Sequence, residues 1–284
     1  MPTTAALTQI PFLGSGLGFR RELRDELLAA REAIDFVEII TEQYSENPER
    51  MGELEEICDA FPVIAHGIGM SIGSAAPFDR AYLAGVKTVS DLTRSPYYSE
   101  HLCMTRAPGI DIGHLSPLWF TEEVLANTIA KVRQVQDLLE KPLILENITY
   151  SFEIPGSPLR QSEFFERLID ATGCGILLDI TNVFINSVNH DFDPVAFLDS
   201  MPLDCVVQVH LAGGFWSRGV LIDGHSEPVQ EESWSLLEKL VERTPVKGSI
   251  LEHDDNFPEL SRLLETVERA RNILARQPHR AAAS

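Results

Sequence analysis

His210 closes the run VVQVH, and Asp223 and His225 follow it in the run D-G-H. Imidazole and carboxylate are the neutral and anionic ligands that divalent metals take. A buried strand stopping on His210 would hold that ring rigidly, and the Gly213–Gly214 pair would let the backbone turn sharply after it. Asp223 and His225 are two positions apart, so an extended backbone points both side chains the same way. On its own this stretch reads equally well as a core histidine followed by a surface turn. Other residues change that balance. His66 in PVIAH, His101 in YYSEH, Glu146 in PLILE, Asp179 in GILLD and Glu252 in GSILE all close short apolar runs, and Asn182 follows Asp179 by three positions. One such residue has a dull explanation as a hydrogen-bonded core group or a helix cap; six runs ending this way call for a shared one.

The charges require a counterweight. Glu146, Asp179, Asp223 and Glu252 gathered in one cavity would repel one another and raise each other's pKa. Cations relieve that repulsion. His66, His101, Glu146, Asp179, Asn182, His210, Asp223, His225 and Glu252 exceed the ~4–6 positions of one ion, so about two or three ions are expected. Imidazole and carboxylate without cysteine suit iron, manganese or zinc. Glu38 also ends an apolar run but serves equally well beside a ligand as at the metal. Gln208 has the parity of His210 and should point into the same cavity to hydrogen-bond a ligand. His253 should face away from Glu252, His114, His190 and His279 read as surface or loop residues, and Asp254 and Asp255 as caps of the last helix. The glycines of GIGMSIGS lack the lysine of a phosphate-binding loop.

The elements that must position these residues alternate along the chain. Strands are expected at 13–19, 35–39, 62–66, 97–101, 142–146, 175–179, 205–210 and 248–252. Helices at 20–30, 49–60, 79–93, 121–139, 162–172, 194–201, 230–242 and 258–274 show apolar residues at helical spacing. Thr121, followed by Glu122 and Glu123, and Ser162 read as helix caps. The segment from Leu102 to Trp119 reads as a long loop, a length that often marks function. Apolar strands alternating with amphipathic helices imply parallel pairing with right-handed crossovers, and eight such units close into a TIM-type (β/α)8 barrel of the xylose-isomerase-like kind. In such a barrel the C-terminal ends of the strands converge on one face, where active sites lie, with Asn182, Asp223 and His225 expected in the loops just beyond. A single barrel domain over 1–284 is expected, with its core from 14 to 275 and a frayed polar tail over 276–284.

Composition bounds the partners. The chain of 284 residues carries 23 basic and 43 acidic residues, a net charge of −20, which argues against a nucleic-acid partner. Cys58, Cys103, Cys174 and Cys205 have no CxxC spacing and read as the reduced thiols of a cytoplasmic protein. No secretory signal and no membrane-length apolar run is visible.

The runs VEII, VIAHGIGMSIGS, SEHLC, LENITYSF, LLDITNVFINSVNH, VQVHLAGG, IDGHSEPV and LEHDDNFPEL resemble the multinuclear non-haem iron-dependent oxidases over 14–264. The resemblance implies a TIM barrel, two or three iron ions of mixed Fe(II)/Fe(III) state, and dioxygen as co-substrate. It implies a ribosomally made precursor peptide as substrate, modified at cysteine in many members, and a separate partner protein that presents the leader. It implies that His66, His101, Glu146 as the bridging carboxylate, Asp179 and Asn182 as a D-x-x-N pair, His210, Asp223 and His225 as a D-x-H pair, and Glu252 hold the iron. No peptide-binding domain is evident in the chain, which fits a separate partner. The same layout is similar to apurinic-site endonucleases and xylose-isomerase-like barrels, although the nucleases place a histidine where this chain has Asn182. A metal-dependent sugar isomerase or phosphodiesterase is therefore the competing enzyme, and a non-catalytic metal-binding protein the competing class. Structural metal sites are closed and need fewer ligands than this chain offers.

Overall fold

Short runs of apolar residues form the inner strands because both their faces must be covered, one by the barrel interior and one by helices. The computed structural model describes residues 5–277. Its strands are β1 (Gly14–Gly18), β2 (Val37–Ile40), β3 (Val63–Gly67), β4 (Tyr98–His101), β5 (Met104–Ala107), β6 (Ile110–Ser116), β7 (Leu143–Glu146), β8 (Gly175–Asp179), β9 (Val206–Leu211), β10 (Gly214–Ser217), β11 (Val220–Asp223) and β12 (Gly248–Leu251). Eight of them close a parallel barrel in the order β1-β12-β9-β8-β7-β4-β3-β2, the TIM-type architecture expected. The expected tail lies, from residue 278 on, outside the described residues, as does His279.

Amphipathic helices cover the barrel. The helix Glu231–Arg243 buries Ser233, Trp234, Leu237, Leu240 and Val241, the spacing of one helical face. Each fully buried leucine of this kind stabilises the packed layer by roughly 1.5–3 kcal/mol. Asp79 caps the helix Arg80–Thr93 by accepting from the amides of Ala81 and Tyr82, and Thr121 caps Glu122–Leu139 through Val124. Gly173, at φ +69°, ends Gln161–Thr172 in the left-handed conformation that costs glycine least.

Register carries the ligand types to one rim. His101 lies opposite Glu146 across β4 and β7, and Asp179 lies opposite His210 across β8 and β9. Neighbours at one register point to the same side of a sheet. Four side chains from four consecutive strands therefore share the interior near the C-terminal mouth.

Several expectations are corrected. The segment 102–119 is not an irregular loop: β5 and β6 pair as an antiparallel hairpin there. A second hairpin, β10–β11, fills the connection after β9. Its turn residues Arg218 and Gly219 have φ of +50° and +83°, which matches the right-handed twist of the strands it joins. A helix, Ile180–His190, follows β8 without a loop, so Asn182 lies in its first turn rather than in a loop. Its β-branched and asparagine-rich sequence has low intrinsic helix propensity, and packing overrides that preference. Ser162 is not a cap; Gln161–Thr172 starts after Arg160 without a side-chain cap. Asp254 and Asp255 do not cap the last helix, Leu260–Leu274, which follows Glu259. The Gly213–Gly214 pair is required for close approach rather than for a special turn: a Cβ on Gly213 would stand 1.7 Å from the Glu227 carbonyl oxygen.

Candidate metal centre

Glu146 stands between two groups of candidate ligands. His66, His101 and Glu146 offer atoms within 4.8 Å of one another, and so do Glu146, Asp179, His210 and Glu252. All six are buried. His66 Nε2 and His101 Nε2 lie 3.4 and 3.3 Å from Glu146 Oε2. His210 Nδ1 lies 3.4 Å from Glu146 Oε1 and 3.1 Å from Glu252 Oε2. Donor atoms bound to one ion through bonds of about 2.1 Å at right angles would be about 3.0 Å apart, so these gaps suit shared coordination after small adjustments.

Hydrogen bonds orient each ring. His66 Nδ1 is 2.9 Å from Ser99 Oγ, and His101 Nδ1 is 3.1 Å from the Gly67 carbonyl, which can only accept. Both rings therefore turn Nε2 toward Glu146. His210 is reversed: Nε2 donates to Glu38 Oε1 at 2.9 Å and Nδ1 faces the carboxylates. Gln208 Nε2 is also 2.9 Å from His210 Nε2, but that amide donates to Glu38 Oε2 at 2.6 Å and is oriented by the Tyr97 hydroxyl on its oxygen. Glu38 and Gln208 thus hold the ring of His210, a candidate ligand, from the side away from Glu146 and Glu252. Such partners fix ring tautomer and ligand basicity.

Asp223 and His225 stand beside the second group. His225 Nε2 lies 2.9 Å from Asp223 Oδ1, and Nδ1 lies 3.9 Å from Glu252 Oε2. They converge as their spacing suggested, but through a turn: His225 has φ +49°. Asp179 Oδ1 accepts from the Asn182 amide at 2.7 Å, and the Asn147 side chain brackets the Asp179 backbone. Asn182 Nδ2 donates to the Asn147 carbonyl at 3.0 Å, leaving its own Oδ1 without a donor.

The residues fit bound cations on an observation independent of any relative. Glu146 Oε2, Asn182 Oδ1, His210 Nδ1 and Asp223 Oδ1 are buried with no well-aligned hydrogen bond, although Glu252 stands 3.1 Å from His210 Nδ1 and His225 2.9 Å from Asp223 Oδ1. Buried polar atoms are normally satisfied, and each orphan costs about 1–3 kcal/mol. Four orphans within one ligand set are what metal bonds would satisfy.

Protonation follows the same logic. Burial, and then the charges of Glu146 and Asp223, hold the Asp179 carboxyl well above its usual range. Burial lowers His66 well below the ordinary imidazole value, and the neighbouring rings lower it further. Burial also opposes charge on His101, but Glu146 and Glu100 outweigh it and push its pKa up to about 9. His210 and His225 are likewise raised despite burial, first by Glu252. The metal-free site therefore holds protons at pH 7 that a metal must displace. Metal binding should release protons, and apparent affinity should rise with pH, including through about 9, where His101 loses its own. Calorimetric titration in two buffers of different ionisation enthalpy measures that release; identical heats in both would contradict it.

Other residues fall outside the set. His114 is exposed on β6. His190 is not a surface residue as expected: it is half-buried, meets the Tyr150 carbonyl at 2.8 Å and stacks on the Tyr150 ring. His253 turns away to the Asn256 carbonyl and lines a cavity of about 550 Å³ outside the barrel. Burial pushes the Cys58 thiol up to about 11 and Cys174 up to about 12, so neither is poised as a thiolate. Sequence reasoning missed Glu100, fully buried, whose Oε1 accepts the His101 amide at 2.9 Å and whose pKa burial raises to about 7. Its position before a strand-end histidine was the available signal. It also missed Arg20, buried at the mouth against Asp254, for which composition held no signal.

Residues 14–275 match the family model for the RiPP precursor modification enzymes MbnB/TglH/ChrH. The chain belongs to that family. The match spans all eight barrel strands, so the resemblance in its motifs extends over the whole scaffold. A UPF0276 protein of Caulobacter vibrioides (strain NA1000 / CB15N) is 36% identical over 267 residues, covering 93% of this chain and 95% of the relative. A UPF0276 protein of Chromobacterium violaceum is 32% identical over 269 residues, covering 95% and 97%. Among solved structures, a D-tagatose 3-epimerase-like protein superposes with TM-score 0.59 at 15% identity, covering 92% of this chain and 98% of that one. A D-psicose 3-epimerase crystallised with D-fructose gives 0.55 at 12%, covering 92% and 97%. At such low identity these epimerases show a shared xylose-isomerase-like barrel and no more. Membership makes this chain a RiPP precursor modification enzyme with buried His, Glu and Asp clusters able to bind metal. No helix among the described residues is long and apolar enough to cross a membrane.

Proposed function

We propose that the chain is an iron-dependent oxidase that uses dioxygen to modify a ribosomally made precursor peptide at cysteine. The observation that carries this reading is the shared Glu146, bare on Oε2, between two groups of buried imidazole and carboxylate donors. His66, His101 and Glu146 would hold one iron. Glu146, Asp179, His210 and Glu252 would hold a second, and Asp223, His225 and Asn182 extend the set toward a third. Iron bound there would supply redox chemistry with dioxygen and a binding partner for a substrate sulfur.

The chain's own residues do the rest. Ser99, Gly67 and Glu38 hold three rings so that one bare nitrogen of each faces the carboxylates. The barrel buries His66, His101, Glu146, Asp179, His210 and Glu252. Ile110 and Ile112 on the hairpin after β4, and Phe215 and Trp216 on the hairpin after β9, are exposed apolar side chains available to a peptide. A separate partner that presents the leader belongs to the same reading, and a cytoplasmic, single-barrel protein fits the free cysteines and the one closed barrel.

Anaerobically reconstituted protein should hold about two or three iron ions per chain and produce a mass change on a cysteine-containing precursor peptide only when air is admitted. A sugar epimerase or phosphodiesterase needs no dioxygen. Equal turnover of a ketose or an abasic DNA strand with and without air, with the peptide unchanged, would overturn the proposal.

A further inference from the structure

Arg20 and Asp254 lie outside the ligand set, yet their contacts end on His225. Arg20 is buried at 8% exposure, follows the end of β1, and sends Nε to Asp254 Oδ1 at 2.6 Å and Nη2 to the same oxygen at 2.5 Å. Its Nη1 donates to the Phe19 carbonyl at 3.0 Å, which fixes the plane of the guanidinium. Nη2 also stands 4.0 Å from Glu252 Oε1. The other oxygen of Asp254 is 3.0 Å from His225 Nδ1, and the Asp254 amide donates to the His225 carbonyl at 2.7 Å. His225 sits at φ +49°, a conformation that side chains avoid unless their surroundings impose it.

We infer that Arg20 and Asp254 are positioning residues for the metal centre: together they fix the backbone and the ring of His225 so that Nε2 is presented, beside Asp223, to a bound metal. His225 Nε2 faces Asp223 Oδ1 at 2.9 Å, so once a metal takes the place between them the ring keeps one proton, on Nδ1, which donates to Asp254 because an ionised carboxylate accepts only. Arg20 neutralises Asp254 and ties β1 to the chain beyond β12, so His225 is held from a strand that contributes no ligand. Carboxylate partners of this kind orient metal-bound histidines, and their loss typically costs 10–100-fold in metal affinity. The inference rests on the proposal that ions occupy this site.

Asp254→Asn is the discriminating variant because it keeps shape and changes chemistry. Arg20 presents only donors, so the amide oxygen should stay on its side and the amide NH2 should turn to His225. Nδ1 must then accept, the proton moves to Nε2, and Nε2 can no longer bind metal. Protein stripped of metal and reloaded with zinc alone serves as the probe. Competition with a chromogenic chelator should show the most weakly held zinc bound about 10–100-fold less tightly in Asp254→Asn, with the remaining zinc unchanged. Long-range proton–nitrogen NMR of the zinc-loaded chain should show His225 with Nδ1–H in the wild type and lose that pattern in the variant. Arg20→Lys keeps the charge but loses the fork, and it should give a smaller loss in the same direction even if Asp254→Asn folds poorly. A lower Tm with zinc affinity and the His225 pattern unchanged in both variants would mean that the pair only braces the fold, and would overturn the inference while leaving the metal reading intact. A wild-type chain that takes up neither zinc nor iron would overturn both.

Discussion

Glu146→Gln should strip the protein of most of its metal and lower peptide modification by at least about 10³-fold, a loss of about 4 kcal/mol in transition-state stabilisation. The size follows from position. Glu146 belongs to both ligand groups, with Oε2 facing His66 and His101 and Oε1 facing His210. Glutamine keeps the volume and one carbonyl oxygen but cannot bridge two cations as an anion. The barrel should still fold, because Glu146 sits at the mouth and removing its charge relieves repulsion with Asp179. His114→Ala, on an exposed strand, should keep full metal and activity. Elemental analysis of both variants and the mass of the treated peptide measure the contrast. A Glu146→Gln protein with a full metal complement would remove Glu146 from the centre.

Gly213→Ala should destabilise the chain by about 3 kcal/mol, the upper range for overpacking, and weaken metal binding as well. The added Cβ would stand 1.7 Å from the Glu227 carbonyl oxygen and 2.3 Å from its carbon, both backbone atoms that no rotamer change can move. Relief requires the segment after His225 to shift away from β9. That segment carries the turn that sets the His225 ring, so stability and metal affinity should fall together. Gly219→Ala, at the tip of the β10–β11 hairpin, meets nothing within 4 Å and pays only for its φ of +83°. Chemical unfolding of the two variants beside a metal titration separates them. Equal, small effects would mean that the contact yields easily.

The ligand types were legible because a TIM-type barrel gathers the C-terminal ends of its strands at its functional face. Reading His66, His101, Glu146, Asp179, His210 and Glu252 as strand ends therefore amounted to placing them in space. The structure brings those six into two overlapping groups. Asn182, Asp223 and His225 were assigned to loops, and here pattern reasoning ran out. The helix Ile180–His190 hides behind residues that favour strands, although Asp179 in the cap position and the spacing of Ile180, Val183 and Ser187 were available signals. The hairpins hide because Phe215 and Trp216 break alternation where the strands leave the core, but Pro108-Gly109 and Arg218-Gly219 mark their turns. Arg20 was invisible for a different reason. Its partner, Asp254, is 234 residues away, and only barrel closure brings the first strand beside the last.

The helix Ile180–His190 begins on Asp179 and, at its other end, grips β11 through Asn189, whose side chain donates to the Leu221 carbonyl at 2.8 Å and accepts the Leu221 amide at 3.0 Å. Asp179 and Asp223 are thus fastened to opposite ends of one stiff rod, while barrel hydrogen bonds fasten Asp179 to His210. The donors form a closed ring of supports in place of a set of independent arms. Coordination chemists draw the same distinction between a macrocycle and an open-chain chelator. In a macrocycle no donor can swing clear by itself, so an ion cannot be released one bond at a time. By that comparison, any metal held at this barrel mouth should exchange slowly for a mechanical reason, set by how the candidate ligands are tied together and separate from how strongly any one of them binds.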